Sequence, residues 1–184
     1  MTSSIRYALV ILLFLPACST VQSVISNVAP DYQEIPADSM RETAVRFEQD
    51  VLDGVRDPEI SDLPGLKLNT DEIKQILTNR AARVHLIQEF LDTGHGREQK
   101  NGKVAIIRTK AYRDSKSKQQ KDRDALFIIS ENRNRDSLYT AIQETNQLSP
   151  AGRVAVIKTF VQARIQLMKE GQKYEDESGD TQIK

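Results

Sequence analysis

The chain has 184 residues, with 26 Lys and Arg against 26 Asp and Glu, a single Cys, two His and no Trp. Zero formal charge excludes a generally basic nucleic-acid binder, and 39% apolar with 28% charged residues excludes a wholly disordered chain. One Cys excludes an internal disulfide framework, and two isolated His leave no metal site of the usual kind, so neither a metal nor a cofactor is expected.

Residues 1–7 carry Arg6 and no acid, residues 8–15 are an unbroken apolar run, and Pro16, Ala17 and Cys18 follow. The run is too short to span a bilayer as a conventional helix and reads as a secretory signal. Leu15-Pro16-Ala17-Cys18 resembles a bacterial lipobox, with Pro16 in place of the usual small residue; the Cys18 thiol is the group such a site would lipidate. The alternative is a plain secretory signal followed by a free thiol. Ser19 after the Cys resembles lipoproteins sent to the outer membrane, so the expected location is that membrane, lipid-anchored and facing the periplasm. Two or three acyl chains at ~0.8 kcal/mol per buried CH₂ hold such a protein stably.

Without residues 1–17 the chain keeps 25 basic and 26 acidic groups. This near balance hides a division, since residues 31–62 are net −7 and residues 97–135 net +7. Either the two segments face each other or are simply solvated, or the basic stretch meets anionic headgroups or an acidic partner.

Residues 18–38, with Pro30 and Pro36 and no sustained period, read as the lipidated Cys and a tether. Ser39 and Glu42 have capping-box spacing, which predicts a helix starting at Ser39. Met40, Ala44, Phe47 and Val51 then recur at helical spacing, and Asp57-Pro58 with Pro64-Gly65 place a loop after them, so residues 39–66 read as an N-terminal helix and loop. A second helix is expected from Asn69 or Thr70, with Ile73, Ile76, Leu77, Val84, Ile87 and Leu91 as its stripe and Gly94 as its stop. His85 lies on or beside that stripe as a structural residue, and His95 between two glycines is expected to be exposed.

Gly94, Gly96 and Gly102 then mark a loop in which residues 104–107 suit a short extended segment. Neither a phosphate loop nor a dinucleotide fingerprint is completed there. A third helix is expected from Lys118 to Asn146, with Ala125, Leu126, Ile129, Leu138 and Ile142 as its apolar residues. Asn132, Arg135, Tyr139, Ile142 and Asn146 share one of its faces, and polar groups on a packing face need partners, because a buried unpaired one costs about 1–3 kcal/mol. The last helix is announced by Ser149 and Pro150, with Val154, Ile157, Val161, Ile165 and Met168 as its stripe and Gly171 as its stop. Residues 172–184 read as a disordered polar tail. The fold expected from this pass is all-α, a small bundle of three or four helices with a Gly-containing loop or short extended segment between the second and third.

Two patches resemble the YdbL-like family of small periplasmic proteins, a domain of unknown function. The first is residues 94–102, similar to the family's Gly, two residues, Gly-Glu, a short gap and Asp/Asn-Gly, with Gly94, Glu98, Asn101 and Gly102 in register and Arg97 in place of a glycine. The second is Asn132, Arg135, Tyr139 and Ile142, similar to the run N-x-x-R-x-x-x-Y-x-x-I-A, with Gln143 where Ala is usual. Residues 67–171 are thereby read as the YdbL-like helical domain. The resemblance implies a protein partner: an AsmA-like bridge protein of the envelope, or a small outer-membrane lipoprotein, with this chain as an assembly or regulatory factor.

No catalytic residue can be named from the residues themselves. The rival reading, an envelope hydrolase, would rest on Glu98 and Glu131 as a carboxylate pair or on Ser130 with a His, and a third, a lipid carrier, would need an apolar pocket. Within the binding-module reading, Asn132, Arg135 and Tyr139 are expected to hold the 94–102 loop, with Arg135 reaching Glu98; the plainer alternative is that the stripe merely joins helices.

Overall fold

A computed structural model of the chain describes residues 36–184. The predicted signal, Cys18 and nearly all of the tether lie outside the described residues. The described residues form α1 (Ala37–Leu52), α2 (Asp71–Ala81), α3 (Val84–Asp92), β1 (Gly96–Glu98), β2 (Val104–Ile106), α4 (Lys110–Ser115), α5 (Lys118–Thr145), α6 (Pro150–Leu167), β3 (Lys173–Glu175) and β4 (Thr181–Ile183). The all-α expectation is therefore corrected. The four short strands make one mixed sheet in the order β2-β1-β3-β4, with β1 antiparallel to β2, parallel to β3, and β3 antiparallel to β4.

The expected disordered tail is the origin of half that sheet. Arg97 of β1 stands opposite Lys173 and Glu98 opposite Tyr174, and the Arg97 guanidinium bonds both Glu175, at 2.7 Å, and Thr181, at 2.7 Å. The side chain of Gln172 is buried and donates to Asp92 at 2.6 Å. Each strand has three residues, too few to express an alternating pattern in the sequence, and the β1–β3 pairing that joins the two hairpins brings together segments far apart along the chain.

Two helix expectations also change. α1 starts at Ala37 rather than at Ser39, because the Pro36 carbonyl accepts from the Met40 amide at 2.9 Å and no side chain caps the end, so Ser39 and Glu42 lie inside the helix. Asp38 sits in the first turn, where the helix dipole favours an acid. The expected second helix is two, broken at Ala82 and Arg83, with no Gly or Pro at the break to announce it. Thr70 caps α2 as expected, accepting from the Ile73 amide at 3.2 Å. The break divides the predicted stripe: Ile73, Ile76 and Leu77 join the larger core with Met40, Phe47, Leu138, Ile142 and Phe160, while Ile87 and Leu91 join a second cluster with Phe90, Val104, Tyr112 and Ile128. It also turns His85 outward, and His85 is exposed rather than structural. His95, expected to be exposed, is half-buried, its ring 5.2 Å from Tyr112 and 6.3 Å from Phe90.

α6 begins as expected, with Ser149 accepting from the Gly152 amide at 3.1 Å and Pro150 at the first position. Its core face differs from the predicted stripe. Val156, Phe160 and Ala163 are fully buried, whereas Val154 is 59% exposed. A helix apolar on several faces does not declare which of them packs. None of the helices among the described residues is long and apolar enough to cross a membrane.

Candidate functional site

The face of α5 predicted from spacing is used at every position. Asn132 Oδ1 accepts from the Val104 amide at 2.8 Å while its Nδ2 donates to the Val104 carbonyl at 2.9 Å, so a side-chain amide pairs β2 as a neighbouring strand would. Asn146, fourteen residues on, treats Lys67 the same way at 2.6 and 2.9 Å. Ile142 between them is fully buried in the larger core. One helix face thus holds two separate extended segments by the same chemistry.

Arg135 reaches Glu98 through two parallel bonds, Nη1 to Oε2 at 2.6 Å and Nη2 to Oε1 at 2.9 Å. Its Nη1 also donates to the Gly102 carbonyl at 3.3 Å, as does the Tyr139 hydroxyl at 3.3 Å. The turn between β1 and β2 is therefore gripped at both ends. Gly102 has φ +84°, and a Cβ there would stand 2.9 Å from the Tyr139 oxygen and 3.1 Å from Ile157, so this place admits glycine alone without rearrangement. Asn101 Oδ1 accepts from the Lys103 amide at 3.1 Å and shapes the turn, and Gly94, at φ +68°, ends the segment after α3. All seven residues singled out between Gly94 and Tyr139 are thus brought into one loop and one helix face.

Three partners were not visible in the sequence. Glu48 of α1, Arg80 of α2 and Arg164 of α6 are buried and complete a closed ring with Glu98, Glu131 and Arg135. Arg80 donates to Glu48 at 2.8 and 3.0 Å and to Glu131 at 3.0 Å; Arg135 donates to Glu131 at 2.7 Å and to Glu98; Arg164 donates to Glu98 at 3.1 Å and to Glu48 at 2.8 Å. Each carboxylate meets two guanidiniums and each guanidinium two carboxylates. The charges cancel within the ring, and five elements are tied at one place.

Burial pushes the Glu48 carboxyl upward, but the guanidiniums of Arg80 and Arg164 outweigh it and hold it at about 2. Burial and the same opposition, from Arg80 and Arg135, leave Glu131 lowered. Arg80, Arg135 and Arg164 are raised despite their burial, chiefly by Glu131 and Glu48, by Glu98 and Glu131, and by Tyr139 respectively. A cavity of about 30 Å³ at the ring is lined by Val51 of one core cluster and Ile87 and Leu91 of the other, so the ring lies where the two meet. That space is about one water molecule.

The two carboxylates named for a hydrolase, Glu98 and Glu131, both stand in the ion ring. A general acid needs a carboxyl raised toward the working pH, and Glu131 is lowered, while Glu98 is bonded to two arginines. Ser130 lies on α5, His85 is exposed, and the His95 ring packs on Phe90 and Tyr112. No group of three or more His, Cys, Asp or Glu side chains among the described residues is placed to hold a metal ion.

Beside the ring runs an open groove of about 860 Å³. Val154, Ile157, Val161 and Ile165 of α6 form an apolar row along it, the stripe the sequence offered as core. Lys100 and Lys103 of the gripped turn line it from one side, and Tyr174, Glu175 and Glu177 from the C-terminal hairpin. Arg153 pairs with Asp136 at 2.6 Å and Lys158 with Glu177 at 2.7 Å, so much of its charge is balanced. The row spans twelve residues, about 17 Å of helix. Compared with known proteins, the chain matches no family model, no curated sequence and no solved structure.

Proposed function

We propose that this chain is a non-enzymatic binding module of the bacterial envelope, anchored to the outer membrane through Cys18, that takes an apolar segment of a partner protein into the groove along α6. The observation that carries this reading is the apolar row Val154, Ile157, Val161 and Ile165 along the groove, with Val154 59% exposed, Ile157 and Ile165 half-buried and Val161 buried beneath them, beside the ion ring. An open groove lined by apolar side chains, with one of them exposed at its rim, suits an apolar segment. The ring supports the reading in a second way, since Arg164 on α6 and Arg135 on α5 both bond the Gly102 carbonyl and so hold the two sides of the groove in register. An assembly or regulatory factor for an AsmA-like bridge protein, or for a small outer-membrane lipoprotein, is the role the family resemblance adds.

A photo-crosslinking residue at Val154 or Ile165, compared with one at exposed Glu72 on α2, tests this in the intact envelope. Adducts to an envelope protein from the groove positions and none from Glu72 support the module. A folded protein giving no protein adduct from the groove overturns it. The groove's size also lies within the roughly 300–1,000 Å³ of small-molecule sites, which favours a lipid carrier as the second reading. Acyl chains recovered with the purified protein, and displaced by a bulky substitution at the exposed groove position such as Val154→Trp, would favour that reading over the first.

A further inference from the structure

The end of the molecule formed by α4 and the first turns of α5 carries a charge that the ring and the groove do not use. Residues 108–124 hold seven Lys and Arg against three Asp. Three contacts fold these residues into one surface: Tyr112 donates to Asp124 at 3.1 Å, Lys116 pairs with Asp124 at 3.0 Å, and Lys121 donates to the Arg113 carbonyl at 2.6 Å. One of the three acids is thereby engaged. Among the described residues, no ion pair uses Arg108, Lys110, Arg113, Lys118 or Arg123, and all five are exposed. Asp114 and Asp122 are the acids left on this surface.

Apolar groups adjoin the cations. Leu126 is 66% and Ile129 55% exposed, on the side of α5 away from buried Ile128. Between α3 and α5 lies a notch of about 210 Å³ lined by Leu86, Phe90 and Phe127 together with Lys116 and Arg123, with Glu89 and Asp124 also on its wall. Cations over apolar pockets suit a phosphate with an acyl chain below it. An acidic protein would meet the charge but would not account for both the exposed pair and the notch.

We infer that this basic surface docks on an anionic phospholipid bilayer, with Leu126 and Ile129 entering the headgroup region. The inference rests on side chains 108–129 and stands whether or not the groove binds a protein.

Because the chain has no Trp, a single one reports cleanly. Full-length protein carrying Leu126→Trp is combined with vesicles of phosphatidylethanolamine and phosphatidylglycerol, or of phosphatidylcholine alone, each containing the same fraction of brominated lipid. Blue-shifted, quenched emission in the anionic vesicles, reversed by high salt, is expected. Lys118→Gln with Arg123→Gln should lower the docked-to-undocked ratio about tenfold or more, from about 1 kcal/mol for each basic residue near an anionic surface. Leu126 and both basic residues are exposed, so these variants keep the fold. Emission unchanged in every vesicle overturns the inference. So does quenching that is equal for a Glu72→Trp control, or a shift that needs an added envelope protein instead of anionic lipid.

Discussion

Arg135 and Glu98 meet through two parallel hydrogen bonds, at 2.6 and 2.9 Å, across thirty-seven residues of chain. Both side chains are buried, and Glu98 is shared with Arg164 at 3.1 Å. Removing one partner of such a pair strands a charge in the interior, at about 3–5 kcal/mol, whereas the intact pair contributes far less than that relative to apolar residues of the same shape. The ring therefore specifies an arrangement more than it adds stability.

A double-mutant cycle on Glu98→Gln and Arg135→Met measures this directly. Each single change should destabilise by about 3–5 kcal/mol and the pair should show a coupling energy of about 1–3 kcal/mol in urea unfolding. Additive effects within about 0.5 kcal/mol would show that the contact does not couple the turn to α5.

Acid should loosen the ring in a defined range. Glu48 is held at about 2 in the folded chain, below the ordinary carboxylate value, so its contribution is fully present above the ordinary value and is lost as the pH falls toward 2. Glu131 is lowered too and acts in the same direction. Urea midpoints between pH 5 and pH 2 should fall steeply for the natural sequence and less steeply for Glu48→Gln, which begins lower. Parallel curves would remove Glu48 as a source of the acid sensitivity.

Gly102 and Gly171 both have positive φ, +84° and +88°, but only Gly102 faces crowded space. Gly171→Ala should cost about 1–2 kcal/mol from backbone strain alone. Gly102→Ala adds overpacking against Tyr139 and Ile157 and should cost about 2–4 kcal/mol. Equal thermal shifts for the two would show that the grip on the turn is loose.

Asn132→Leu keeps the size of the side chain and removes both bonds to Val104. Leaving the two backbone groups unpaired should cost about 1–3 kcal/mol, with hydrogen exchange at the Val104 amide rising more than at amides of the α6 core. Uniform acceleration across the chain would point to global destabilisation instead of a local clamp.

Much of the site was legible because it is written in helical spacing. Asn132, Arg135, Tyr139, Ile142 and Asn146 fall on one face by arithmetic, and polar residues on a packing face must find partners. Caps at Thr70 and Ser149 were equally readable, since their bonds reach only three residues along the chain. Glu48, Arg80 and Arg164 were not, because a charged residue amid a helical pattern reads as solvated until its opposite charge is known to lie beside it.

By itself, the sequence determined what depends on neighbours within a few residues: where α2, α5 and α6 begin, which face of α5 packs, and that the chain turns before Gly102. The tertiary structure alone decided the break at Ala82 and Arg83, the pairing of the C-terminal residues onto β1, the ion ring, and the choice of Val156 and Phe160 over Val154 and Ile165 as the buried side of α6. In each of these the local pattern permits more than one arrangement, and groups distant along the chain select the one in which buried strands, charges and apolar faces all find partners.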